Sequence, residues 1–230
     1  MLNFRSKDRY DAEDLRQIVA ILRSEDGCPW DRAQTHESIR RNLLEEAAEL
    51  CEAIDRADPA MMREELGDVW LQVLLHAQME QEAGRFDIDD VADAECRKLI
   101  GRHAHVFGDA KAADAAQALE VWEEQKRAEK RQKTPLEAMD AVCRTLPALW
   151  RAEKVQKKDG TPLPEPSDAA ADLESAARRL SEAILSGEGA GEALGELLFS
   201  AVRAARLVGT DPEAALHSEC EAYIRRFREA

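Results

Sequence analysis

Aromatic side chains are scarce in this 230-residue chain, 5% of all residues, so a core built on stacked rings is excluded and packing falls to aliphatic side chains. Runs of Val, Ile and Thr are equally rare, while Ala, Leu, Glu and Arg recur throughout, a balance that favours helix over sheet. No stretch approaches the roughly 18 apolar residues of a membrane span, and the opening segment MLNFRSKDRYDAEDL has no apolar core of the signal-peptide kind. The expected location is the cytoplasm, with no membrane partner. Cysteine is limited to Cys28, Cys51, Cys96, Cys143 and Cys220, an odd and scattered set without a CxxC pair. It fits neither a disulfide framework nor a zinc site. Positive charge is in deficit too: 32 Lys and Arg face 47 Asp and Glu, for a net charge of −15. Such a field repels nucleic acid, and a polyanionic ligand would need a cation to enter.

What is present reads as helices with recognisable ends. Leu15, Ile18, Val19 and Leu22 form an apolar stripe on a first helix over 11–24. The segment DGCPWDRAQ, 26–34, breaks it, and Thr35 is placed to cap a second helix reaching Arg56. Asp58-Pro59, a cap followed by a first-turn proline, opens a third helix to Gly84 that is apolar nearly all round and therefore central. Further helices are expected from Asp87 or Asp89 to Arg102, over 116–132, over 147–157, over 168–185, over 191–208, and from Asp211-Pro212 onward. Between 102 and 116 a loop is expected, and DGTPLPEP is the clearest linker in the chain.

The fold class is thus all-α, a helical bundle of two tandem units. Setting Gly67 against Gly195 aligns EELGDVWLQVLLHAQ with EALGELLFSAVRAAR, and VADAECRKLIGRH then falls on ALHSECEAYIRRF. The order of the identities points to a degraded repeat. The expected division is a catalytic helical domain over 1–133, a connecting helix and Pro-rich linker over 134–166, and a degenerate helical domain over 167–230.

The chemistry centres on EEAAE (Glu45, Glu46, Glu49) and EELGD (Glu64, Glu65, Asp68). Positions three apart share a helix face, so Glu46 with Glu49 projects one carboxylate pair and Glu65 with Asp68 another. The turn at Asp58-Pro59 makes the two helices antiparallel neighbours. Four carboxylates converging beside Leu43, Leu50, Leu66 and Val69 repel one another unless a cation neutralises them. All-oxygen ligation suits Mg²⁺, with Mn²⁺ as a substitute. A di-iron bundle would need a glutamate three residues before a histidine, which none of the five histidines has. A solvated acidic face is the plain alternative, opposed by the apolar residues that border both clusters.

CPWD within 26–34, the EExxE and ExxD pair, QVLLHAQ, EAGRFD, RHAHVFGD and VWEEQK together resemble, in that order, the MazG pyrophosphohydrolases. The resemblance implies an all-α homodimer that hydrolyses a nucleoside triphosphate to the monophosphate and pyrophosphate, in nucleotide house-cleaning or pool control. It implies that Glu46, Glu49, Glu65 and Asp68 hold Mg²⁺, with Glu45 as a base or outer ligand. Lys98 and Arg102 look like the family's phosphate-binding pair, and Trp122 and Lys126 match its late tryptophan and lysine, placed to stack on the base and touch phosphate. Taken without the family, Lys98 and Arg102 equally fit solvated charges near a helix C-terminus, and Trp122 a packing anchor.

The C-terminal half departs from the pattern: Ala193 stands for Glu65, Glu196 for Asp68, Ala222 for Lys98, and one carboxylate, Glu174, lies in 173–177 where EExxE is expected. That half is expected to bind metal poorly and to serve structure or dimerisation. Two rival readings follow: a helical dimer that binds nucleotide or a protein partner without turnover, and an all-α pyrophosphatase restricted to a dUTP-type substrate.

Overall fold

The structure, a computed structural model, describes residues 4–130 and 134–228, all in helices, turns and loops with no strand among them. The chain divides into two compact units, Met1–Gln125 and Lys126–Ala230.

In the first unit, α1 (Ala12–Arg23) opens on a capping box: Asp11 accepts from the Glu13 and Asp14 amides, and Asp14 accepts from the Asp11 amide in return. The 26–34 segment is not a plain break but holds a short helix, α2 (Pro29–Ala33), set off by Pro29 at its first position. Gly27 is required there, because a Cβ would stand 2.2 Å from the Ile21 carbonyl oxygen and 2.4 Å from that of Leu22. The next helix, α3 (Arg40–Asp55), starts later than expected. Thr35 does not cap it: Thr35 and Ser38 exchange side-chain to backbone hydrogen bonds and close a turn before the helix begins.

Asp58 caps α4 (Pro59–Glu82) as expected, accepting from the Ala60 and Met61 amides with Pro59 in the first turn. The link from α3 passes through Ala57 at φ 51°, a left-handed conformation that costs a non-glycine residue about 1 kcal/mol and sets the tight antiparallel hairpin. The long helix packs against α1, α3 and α5 (Ile88–Arg102). Its Leu74, Leu75 and Met79 form the core with Val19 and Ile39, flanked by Leu15, Leu71 and Ile88. Burying each such side chain is worth about 1.5–3 kcal/mol. A second capping box, Asp87 with Asp90, opens α5. The expected loop after it contains α6 (Ala104–Phe107), and α7 (Ala115–Lys130) follows. The last two residues expected for that helix lie outside the described residues.

The division between units falls inside α7, earlier than the boundary at 133 read from Thr134-Pro135. Thr134 caps α8 (Pro135–Asp140) in a third capping box, so the proline marks a helix start. Nor is 134–166 only a connection: α9 (Ala148–Lys158) packs on α11 (Ala190–Leu207) and α12 (Pro212–Arg228), and α10 (Pro166–Ser186) pairs with α11. Gln156 explains the docking of α9, since its side chain is 1% exposed, donates to the Phe199 carbonyl at 2.7 Å and accepts from Arg206. Among the described residues no helix is long and apolar enough to cross a membrane.

Candidate active site

The α3–α4 hairpin brings carboxylates from two helices together. Ligand oxygens of Glu46, Glu49 and Glu65 all lie within 4.8 Å of one another. Glu65 is buried, Glu46 half-buried and Glu49 exposed, so the group spans the rim of the helix pair rather than its centre. Burial, then the charges of Asp68, Glu49 and Glu45, push the Glu46 carboxyl above the usual carboxylate range. Glu65 is raised in the same sense by burial, then by Glu49, Asp68, Glu64 and Glu46. Asp68 falls outside the 4.8 Å group but stands near enough for its charge to act on both. Glu45 faces elsewhere, in an ion pair with Arg41 at 2.7 Å.

The expected basic and aromatic residues are arranged differently. Lys98 pairs with Glu95 one turn away on α5. Arg102 is buried at the end of α5, its guanidinium 5.5 Å from the centre of the Trp122 ring, a cation–π contact that also anchors α7. Lys126 belongs to the second compact unit. All five cysteines are free thiols, Cys28 half-buried and the others exposed.

In the second unit the matching hairpin, α10 with α11, buries alanines: Ala176 is fully covered and Ala193 is 9% exposed. Its carboxylate Glu196 is paired with Arg179 at 2.8 Å, so a cation already sits across the two helices.

A polar chain that the sequence did not announce joins α4 to the turn before α3. His36 Nδ1 lies 2.7 Å from His76 Nδ1 with the two rings 3° from parallel, and His36 Nε2 lies 2.6 Å from Glu80 Oε1. Arg85 donates two hydrogen bonds to Glu80. Those bonds, with that of His36, prevail over burial and hold the Glu80 carboxyl down at about 2. The available signal was His76 and Glu80, four apart on one helix face, but His36 stands forty positions away.

Known proteins can be set against this geometry. The model of the MazG nucleotide pyrophosphohydrolase domain matches residues 34–107, which hold all four carboxylates as well as Lys98 and Arg102 of α5. A nucleoside triphosphate pyrophosphohydrolase of Escherichia coli (strain K12) is 41% identical over 223 residues, 94% of this chain and 85% of that protein. The nucleoside triphosphate pyrophosphohydrolase/pyrophosphatase MazG of Thermotoga maritima is 41% identical over 219 residues, 94% of this chain and 84% of that protein. A nucleoside triphosphate pyrophosphohydrolase of Mycobacterium tuberculosis is 43% identical over 129 residues, 55% of this chain and 38% of that protein. Sustained identity across nearly the whole length of two such enzymes, together with the domain match, means that this chain belongs to the MazG nucleotide pyrophosphohydrolase family.

Proposed function

We propose that this chain hydrolyses nucleoside triphosphates to the monophosphate and pyrophosphate, with Mg²⁺ or Mn²⁺ held by Glu46, Glu49, Glu65 and Asp68. The observation that carries the reading is the approach of three carboxylates to within 4.8 Å at a partly buried hairpin, with two of them pushed up in pKa. Such a group is self-repelling without a cation, and its all-oxygen donors suit a hard one. When bound, the ion polarises phosphate oxygens and offsets the charge that develops on them.

The reaction adds water at the α-phosphorus and breaks its bond to the α–β bridging oxygen, which leaves on pyrophosphate; the proton lost by water passes to a base. Glu45, next to Glu46 on α3 and near enough for its charge to act on that carboxyl, is the candidate acceptor. Lys98 and Arg102 are the candidate phosphate contacts. Trp122, already stacked with Arg102, would hold that guanidinium in place as the substrate closes the site. A protein of net charge −15 attracts such a substrate only through local cations of this kind and the bound metal.

A homodimer belongs to the same proposal. The site hairpin leaves Leu44, Leu66 and Trp70 between 41% and 57% exposed, apolar surface that a second copy would cover. House-cleaning of the nucleotide pool in the cytoplasm is the role that fits a triphosphatase of this kind. Incubating the purified chain with eight ribo- and deoxyribonucleoside triphosphates and Mg²⁺, and scoring pyrophosphate against orthophosphate, tests the reading. Pyrophosphate is expected; orthophosphate alone would mean that another bond is cut and would overturn it.

A further inference from the structure

Beyond the carboxylates, α3 and α4 border a cavity of about 500 Å³, within the size range of small-molecule sites. Leu43, Val73, Ala77, Phe86 and Val91 supply apolar walls, and His76 with its partners His36 and Glu80 supplies a polar one. Leu43 stands one helical turn before Glu46 on the same face of α3. On α4, Val73 follows Asp68 by about 8 Å along the axis at 1.5 Å per residue. Phosphates at the carboxylates and a base in the cavity are therefore compatible with one extended nucleotide.

Proton positions along the polar wall follow from Glu80. Held ionised by Arg85, Glu80 accepts only, so His36 Nε2 carries a proton. His36 Nδ1 and His76 Nδ1 share one hydrogen bond at 2.7 Å, which ties the two rings together. Burial, then His36, lowers the His76 pKa and keeps that ring neutral. His76 Nε2 has no hydrogen-bond partner among the described residues, so it is available to a ligand.

We propose that this cavity receives the nucleobase of the triphosphate, with His76 Nε2 hydrogen-bonded to the base edge and His36 and Glu80 fixing the orientation of the His76 ring. His76 is a specificity-determining residue, while His36 and Glu80 are positioning residues. The inference rests on the proposed pyrophosphohydrolase reading but names a separate part of the site.

The test uses the full chain without metal and a fluorescent nucleoside, 2-aminopurine riboside, so that binding is read apart from turnover. Saturable quenching is expected in the wild type. It weakens about tenfold in His76→Phe, which keeps an aromatic ring and removes its hydrogen-bonding nitrogens. It is lost in Val73→Trp, which fills the cavity from a partly exposed position and guards against a folding failure at His76. Equal affinity in His76→Phe and Val73→Trp, or no saturable quenching by the wild type, overturns the pocket even if triphosphates are hydrolysed. Conversely, His76-dependent binding without pyrophosphate release from any triphosphate would leave the pocket standing and remove the hydrolytic reading.

Discussion

Glu65 on α4 and Ala193 on α11 are each buried two positions before the glycine of their hairpin, Gly67 or Gly195. One hairpin spends that buried position on a charge, the other on a methyl group. An ionised carboxylate placed there carries a desolvation cost that a bound cation offsets, whereas alanine carries none. The difference predicts where metal goes. Isothermal titration with Mn²⁺ should show binding in the wild type that Glu65→Ala abolishes. Ala193→Glu should add none, because Arg179 already neutralises Glu196 in the second hairpin.

Activity should follow the same geometry. Glu49→Gln or Asp68→Asn is expected to lower pyrophosphate release by at least about a hundredfold, the scale at which removed electrostatic stabilisation of a transition state is usually felt. Far-ultraviolet circular dichroism should stay that of the wild type, since both residues lie on helix surfaces away from the Val19–Leu75 core. Unaltered turnover in both variants would reject the cluster as the site.

The shifted carboxyls at the cluster and at Glu80 make opposite statements about stability and pH. Glu46 and Glu65 have folded pKa values raised above those of the unfolded chain, so they favour folding while protonated and penalise it as pH rises through the raised range. Chelator-treated protein should therefore gain thermal stability from Glu65→Gln at pH 8 and little at pH 4. Mg²⁺ should raise the melting temperature of the wild type by a few degrees at pH 8 and not at pH 4. Glu80, lowered to about 2, has the reverse sign: its contribution is complete above about 4.5 and disappears as pH falls toward about 2. Melting curves of Glu80→Gln should converge with those of the wild type across that lower window.

Local rules read well from the sequence wherever a single residue decides the outcome. Asp58 and Asp87 stand at the helix starts their side chains cap, and the i,i+3 spacing of Glu46 with Glu49 set two carboxylates on one face. Tertiary choices did not read as well. Thr35 satisfies the composition of a helix cap, yet Ser38 three residues on offers a closed turn that consumes the same groups. Lys98 and Arg102 share a face by periodicity, but burial of Arg102 against Trp122 depends on where α7 returns, which spacing along α5 does not encode. The His36–His76 contact likewise joins elements that only the folded hairpin brings together.

Arg23 offers the last prediction, on how the CPWD segment is held. Its side chain is 6% exposed and makes a two-bond ion pair with Glu82 at 2.9 Å, while its Nη1 donates to the Asp31 carbonyl at 2.6 Å and to that of Gln34 at 3.3 Å. One guanidinium thereby ties the ends of α1 and α4 to the α2 segment. Burial alone would raise Glu82, but the Arg23 and Gln78 hydrogen bonds outweigh it and the net shift is downward. Truncating Arg23 to alanine strands a carboxylate and two carbonyls together. Because Glu82 keeps some access to water, the expected loss is about 2–3 kcal/mol rather than that of a fully buried pair. Arg23→Lys should recover only part, since an ammonium cannot hold the bidentate carboxylate and the carbonyls at once. Urea unfolding of the three proteins, ordered wild type, lysine, alanine, checks the claim; a lysine variant as stable as the wild type would show that charge alone, not the guanidinium fork, holds the segment.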